Sequence, residues 1–481
     1  MLMAVEVAAF RMIGKTFGSA LRETTAVIAV FLTAMSLGYW AGGRMGDRWP
    51  EARTLVAALL AGAASLMAVP SLDALLSARI AASGLDLTVH AFAATIVLFA
   101  IPTFFFAAIS PIAVRLFATT TTESGATAGA ISALSTAGSI AGSVATAFWL
   151  IDWLQSITRT IFFVVGSGCV VAFVVMLASM PRRRLVFAVG LALLVIPATA
   201  FVRSARIDDA PQQFARTLYE GDSAFHHIVV REHRGIRELR FNRGIQSQMK
   251  VADPFGPGLA YPDSVPIARL YRPALRRVLV IGLGGGTIPK QWTHAWDDTS
   301  VDVVEIDPRI VDIARRFFAV DAGPRLCIHV SDGRTFLRRT TEKWDLIVID
   351  AYTTSRYGDT IPAHLTTREF FAEAAAHLSE GGVLHFNSGF TDSRLLPVLE
   401  KTMASVFPSV LAAEAQIFAS NLPLIASKEV LEQRRRSSPA SRFPTLPHYL
   451  ALLAPVPRPV ATDMLLTDDY APVDMLAHTK R

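Results

Sequence analysis

Apolar residues follow two different rhythms along this chain of 481 residues. Before residue 203 they form long runs almost free of charge; beyond it they come in short bursts closed by glycine or a carboxylate. A helix needs roughly 20 apolar residues to cross the hydrocarbon core of a bilayer. Runs of that kind are Thr25–Gly43, Leu55–Leu72, Val89–Val114, Ala126–Leu150, Ile161–Met180 and Leu185–Val202. Met1–Ile13 is apolar too, but short and interrupted by Glu6 and Arg11. Pro102 and Pro111 each remove a backbone donor and predict a kink in the helix that carries them, Val89–Val114. Gly138 and Gly142 form a small-xxx-small pattern that predicts a close helix contact.

The second half reads as β structure and then as alternating strands and helices. Ala224–Arg231 and Glu238–Phe241 are β-rich runs flanking the turn-like His233-Arg-Gly-Ile. Strands are then predicted at Arg277–Ile281, Val301–Asp307, Arg325–Val330, Trp344–Asp350 and Gly381–Asn387, with helices near Pro289 and over Ile310–Phe318. Apolar strands alternating with helices make a parallel, doubly wound sheet. The fold class is therefore an N-terminal α-helical transmembrane bundle followed by a β-hairpin region and a Rossmann-like α/β fold. The expected boundaries are 1–203, 204–270 and 271–481.

Composition agrees with that division. Charged residues make up 18% of the chain, against about 25% in soluble domains. The net charge of +6 raises nucleic acid as a partner, but the basic residues flank apolar runs, at Arg44, Arg48, Arg53 and Arg182–Arg184. There they set membrane orientation, and no nucleic acid is expected. Arg434–Arg436 lies in a Ser/Pro-rich stretch, and 430–446 reads as a solvated, mobile connection. Two cysteines, Cys169 and Cys327, lie in different halves and build neither a disulfide framework nor a cysteine metal site.

The candidate chemistry sits at the strand ends. Gly282, Gly284 and Gly286 follow the first strand, where glycine lets a ligand approach the backbone and a helix N-terminus offers free N–H groups. The spacing is not that of a dinucleotide fingerprint. Glu305 and Asp307 close the second strand, about 20 residues on, where an acid accepts hydrogen bonds from ribose hydroxyls in doubly wound folds. Asp332-Gly333 follows the third strand, placed for an adenine amino group, and Asp350 closes the fourth at the reacting end. Together they describe a site for an S-adenosyl nucleotide.

Taken in order, these features resemble the polyamine aminopropyltransferases, in the branch where a multi-span membrane region precedes a spermidine synthase-like domain. The resemblance covers Ser223–Val230, Leu239–Gln246, Tyr261, Gly282–Gly286, Glu305–Asp307, Asp332-Gly333 and Asp350, with Pro362–Phe371 and Leu466–Val473 matching the fused branch. It implies decarboxylated S-adenosylmethionine as co-substrate, S-adenosylmethionine being the other candidate, and requires no metal. Gln246 would hold the aminopropyl end, Glu305 the ribose and Asp332 the adenine. Tyr261, Asp263 and Tyr352 would line the amine site, and Asp350 would deprotonate the attacking amine. A homo-oligomer, a bilayer and a small amine are the implied partners, with the synthase domain on the cytoplasmic side of a bacterial inner membrane. This chain departs from the family at Gly285, where an aspartate is usual, at Thr353, and at Asp263, which replaces a glutamate. Two alternatives stay open: a methyltransferase on the same fold, and a membrane sensor or transporter whose soluble domain binds an adenosyl compound or polyamine.

Overall fold

A computed structural model describes residues 1–17, 21–80, 87–117, 124–154, 156–179, 215–223, 225–241, 244–256, 258–351, 353–355, 358–389, 393–457, 460 and 462–477. It separates into two compact units, Met1–Gln213 with Gly221–His226, and Phe214–Glu220 with His227–Arg481.

The first unit is helical: α1 (Leu2–Phe17), α2 (Leu21–Arg48), α3 (Ala52–Ile80), α4 (Leu87–Phe117), α5 (Ser124–Ala145) and α6 (Ile157–Ser179). Four stretches are long and apolar enough to cross a membrane, namely Thr24–Arg48, Ala52–Asp73, Ala91–Phe117 and Gly125–Leu150. Ile157–Val171 is a shorter apolar helix, and the run Leu185–Val202 lies outside the described residues. Helix α4 continues through Pro102 and Pro111. The close helix contact falls elsewhere than the sequence pattern implies. A Cβ at Gly138 would meet nothing within 4 Å and one at Gly142 would make only ordinary contact with α1, 3.8 Å from Ala4 N, whereas one at Gly38 or Gly42 would come within 2.4 or 2.5 Å of a carbonyl oxygen of α4. Glycine on α2 therefore lets these two backbones touch.

The second unit opens with a four-stranded sheet of β1 (Arg216–Asp222), β2 (His227–His233), β3 (Ile236–Phe241) and β4 (Gly244–Lys250), in the order β1-β2-β3-β4. Sequence pattern had located only the middle pair. The main sheet holds β5 (Arg277–Ile281), β6 (Ser300–Glu305), β7 (Leu326–Val330), β8 (Trp344–Ile349), β11 (Leu378–Asn387), β12 (Ser409–Ala413), β13 (Gln416–Ser420) and β14 (Ala454–Pro455). A two-stranded ribbon, β9 (Thr353–Ser355) with β10 (Gly358–Thr360), precedes β11. The main order is β14-β12-β13-β11-β8-β5-β6-β7. Strands β11, β8, β5, β6 and β7 run parallel, and β13 and β12 return antiparallel.

Alternation along each parallel strand buries both faces. Val278, Val280, Val301, Val303, Leu346 and Val348 face one core; Leu279, Ile281, Val304, Ile347 and Ile349 face the other. Such near-continuous apolar runs are what a strand covered on two sides requires. Helices α7 (Thr287–Ala295), α8 (Pro308–Phe317), α9 (Gly333–Arg339), α10 (Arg368–Ala376) and α11 (Leu395–Ala404) fall between the strands.

One expectation is corrected. Lys428–Arg436 is a helix, α12, with Glu432 paired to Arg435 and Arg436 and with Arg434 donating to the Leu270 carbonyl. Ala440, Phe443 and Leu446 beyond it are buried, so 430–446 is packed structure. The Arg/Ser/Pro content concealed an amphipathic stretch in which Leu431, Ala440, Phe443 and Leu446 point inward. The Leu466–Val473 segment is likewise anchored: Asp468 takes two hydrogen bonds from Arg334, at 2.6 and 2.7 Å, while Glu373 takes two more.

Candidate active site

Strand order reverses between β5 and β8, since β6 and β7 lie on one side and β11 on the other. In open α/β sheets a crevice forms at that point, beyond the carboxyl ends of the strands. The Gly282 turn and Asp350 leave adjacent strands there. A Cβ on Gly282 would lie 2.4 Å from the Asp350 carbonyl oxygen, and its φ of 102° is open to glycine alone at no strain. Gly284 and Gly286 also have positive φ, and Gly286 precedes α7 directly.

Glu305 ends β6 beneath this loop. One of its carboxylate oxygens accepts the Leu283 N–H at 2.9 Å and the other accepts the Asp307 N–H at 2.9 Å. Burial pushes its pKa up to about 6; the backbone N–H groups, including that of Gly284, oppose the rise and the Asp307 charge adds to it. Asp307 serves locally, accepting from Arg309 N at the start of α8.

Asp332 caps α9 by accepting from Thr335 N at 2.8 Å, and His364 Nε2 lies 2.9 Å from its other oxygen. Burial acts to raise this acid, but those two partners outweigh it and hold the pKa below the ordinary value. Gly333 has a packing reason of its own, because a Cβ there would be 2.4 Å from Ile281 Cγ2.

Asp350 is held by side chains. The Tyr261 hydroxyl donates to Oδ2 at 2.9 Å and the Asn387 amide donates to Oδ1 at 2.8 Å. Burial pushes this carboxyl up to about 6, against the pull of both donors. An acid so placed is ionised at neutral pH and basic enough to take a proton.

The remaining candidates fall in different places. Asp263 is buried and turned to Thr445, accepting its N–H at 2.9 Å and its hydroxyl at 2.7 Å. Gln246 is buried on β4, and Tyr352 lies outside the described residues. Gly285 donates its N–H to Ser247 Oγ at 2.8 Å, and a Cβ there would be 2.7 Å from Ser247 Cβ. The loop thus has no room for a longer residue at 285 while Ser247 stands where it does. Sequence reasoning missed Asn387, Ser247 and His364. Asn387 carried a usable signal, since it closes the apolar run Val383–Phe386 on the strand beside that of Asp350. Among the described residues no group of three or more His, Cys, Asp or Glu is placed to hold a metal ion.

A parallel sheet with an antiparallel return, a glycine turn and acids at successive strand ends defines a Rossmann-like transferase fold of the methyltransferase type. The spermine/spermidine synthase domain family matches residues 265–428. A polyamine aminopropyltransferase of Vibrio vulnificus is 30% identical over 276 residues, covering 54% of this chain and 91% of that protein. A probable polyamine aminopropyl transferase of Bifidobacterium longum is 28% identical over 282 residues, which is 54% of this chain and 61% of that protein. A crystal structure of a probable spermidine synthase from Corynebacterium glutamicum aligns at a TM-score of 0.40 and 20% identity, over 46% of this chain and 87% of that one. The chain belongs to the polyamine aminopropyltransferase family and is a transferase. Neither the methyltransferase nor the sensor alternative is favoured by these relatives.

Proposed function

We propose that this protein moves an aminopropyl group from decarboxylated S-adenosylmethionine to a small amine, from a domain anchored by helices in residues 1–203 to the cytoplasmic face of a bacterial inner membrane. The observation that carries this reading is the buried Asp350 at the switch point, gripped by Tyr261 and Asn387 beside the glycine turn. The residues present fit the nucleoside: Glu305 keeps lone pairs for ribose hydroxyls and Asp332 for the adenine amino group, while the family resemblance gives Gln246 the aminopropyl end. When bound, the co-substrate supplies an electrophilic carbon next to a sulfonium.

An amine attacks only when neutral. Asp350 as carboxylate accepts the proton that the amine nitrogen gives up as its new C–N bond forms and the C–S bond breaks, releasing methylthioadenosine. Tyr261 fixes one carboxylate oxygen and Asn387 the other, so the basic lone pair keeps one direction. Tyr261 faces the amine side, where the family resemblance also puts Asp263 and Tyr352.

The test uses the full chain in detergent, given decarboxylated and ordinary S-adenosylmethionine separately with a panel of di- and polyamines. Methylthioadenosine release supports the proposal. Release of S-adenosylhomocysteine, or tight binding of either compound with no product from any amine, would overturn it.

A further inference from the structure

Strands β11 and β13 are antiparallel neighbours in the middle of the sheet, with Asn387 paired to Gln416 in register and His385 paired to Phe418. Val383, Leu384, Phe386, Ile417, Phe418 and Ala419 around them are buried and apolar, yet His385, Asn387 and Gln416 are 0%, 3% and 3% exposed. Buried polar groups persist where they are bonded to one another. Here the bonds run in one direction. A carboxylate can only accept, so Asn387 presents its NH₂ to Asp350 and its carbonyl to Gln416, whose amide donates to it at 2.8 Å. The Gln416 carbonyl is then left to accept, and His385 Nε2 donates to it at 3.0 Å.

That sequence fixes the histidine as the Nε2–H tautomer. Its Nδ1 is buried with no hydrogen-bond partner, and burial pushes its pKa down to about 3, so the ring stays neutral. Ser264 Oγ lies 3.4 Å from His385 Nε2 and 3.3 Å from Gln416 Oε1, and it donates to the Tyr261 carbonyl at 2.8 Å. Tyr261 is the second donor on Asp350. Having given its proton to that main-chain carbonyl, Ser264 is left to accept from His385 Nε2, so the Asn387 amide and the turn that carries Tyr261 are linked behind Asp350.

We propose that His385 and Gln416 are positioning residues for the transfer: Gln416 holds the Asn387 amide aimed at Asp350, and His385, through Ser264, braces the turn that carries Tyr261. This rests on the functional reading above and deepens it. With this network intact both carboxylate oxygens keep a donor, which favours the ionised base. With Gln416 or His385 removed, the Asn387 amide loses part of its support, the Gly389 N–H at 3.2 Å from its carbonyl remaining, so the donor to Asp350 is held less firmly and the protonated form gains. Among the described residues, the titratable groups bonded to Asp350 directly or through this chain are the Tyr261 phenol in contact with it and His385 three hydrogen bonds behind. Glu305 ends β6, with β5 between the two acids.

The test is the pH dependence of turnover of the full chain in detergent, for wild type, Gln416→Leu, His385→Phe and His385→Gln. Protonation of Asp350 is followed in parallel by the infrared carboxyl stretch that Asp350→Asn removes. Gln416→Leu should move the acid limb and the carboxyl titration upward by about one pH unit, which is tenfold in the ionised fraction below the limb. At pH 9 its turnover should stay within about threefold of wild type, because one missing donor matters little once the acid is fully ionised. His385→Phe should shift both in the same direction by less, and His385→Gln, which restores a donor, should recover most of the shift. If the limb and the carboxyl titration stay at the wild-type pH in His385→Phe, the relay is packing only and the inference falls, whether or not Gln416→Leu folds. A wild type that moves no aminopropyl group would sink the functional reading instead, and the infrared titration would still decide the relay.

Discussion

Glu305 and Asp350 end strands β6 and β8 with β5 alone between them, and burial pushes both acids to about 6. They are held in different ways. Glu305 is gripped by backbone N–H groups of the loop it supports and of the residue two positions on. Asp350 is gripped by two side chains, from positions 89 residues before it and 37 after it. A backbone clamp comes with the local turn and survives most substitutions nearby. A side-chain clamp must be assembled from distant segments, and it can be adjusted one residue at a time. In the proposed function, the end assigned to the nucleoside is built the first way and the end assigned to the transfer is built the second.

The largest effect expected from breaking this pair is kinetic. Asp350→Asn should lower co-substrate-saturated turnover by about 10²–10⁴-fold, the range for a lost general base, while calorimetric affinity for the co-substrate stays near wild type. Glu305→Gln should show the reverse split. It should weaken affinity by roughly 10–100-fold, as a hydrogen bond to a charged group worth about 1.5–3 kcal/mol implies, with turnover changed only a few-fold.

The nucleoside end also leans on the C-terminal segment. Arg334, two residues after Asp332, has a side chain 7% exposed and pairs with both Glu373 and Asp468. Arg334→Met should destabilise the protein by about 2–3 kcal/mol, less than a fully buried pair because both carboxylates are partly solvated. Denaturant unfolding would measure the loss, and a variant as stable as wild type would show that the clamp contributes nothing.

A smaller effect follows from the raised acids. Asp350 has a folded pKa of about 6 against an ordinary 3.8. Its contribution to stability is therefore full below about pH 4 and is lost as pH rises through about 6. At pH 8 the ionised acid burdens the fold, and Asp350→Asn should be more stable than wild type by about 1–3 kcal/mol, with the advantage gone at pH 4. Melting temperatures at the two pH values check the sign. The smallest change concerns the loop: Gly285→Asp should cost about 1–3 kcal/mol by overpacking against Ser247. Adding Ser247→Gly should restore the melting temperature and tighten binding of the decarboxylated compound.

The same contrast explains what could be read from the residues in order. The β5 turn, the acids at 305, 332 and 350 and the alternating cores follow from local periodicity, so they were legible. Asn387, Gln416 and His385 were not, because their meaning depends on β11 lying beside β8 and on β13 returning antiparallel. Which way Asp263 points was not legible either: a single turn after Tyr261 aims the tyrosine at Asp350 and the aspartate at Thr445. In the helical half, Gly138 advertised a contact that Gly38 and Gly42 make. Small residues permit an approach but do not say which helix arrives.

One labelling experiment bears on the transfer without relying on any rate. The full chain in detergent would be given decarboxylated S-adenosylmethionine carrying ¹³C in its aminopropyl chain, together with an unlabelled diamine, and the products read by mass spectrometry. The predicted result is ¹³C on the amine, one aminopropyl unit heavier, from wild type, with the Asp350→Asn yield reduced at least about 100-fold. An amine that stays unlabelled in wild type, or an equal yield from Asp350→Asn, would contradict it.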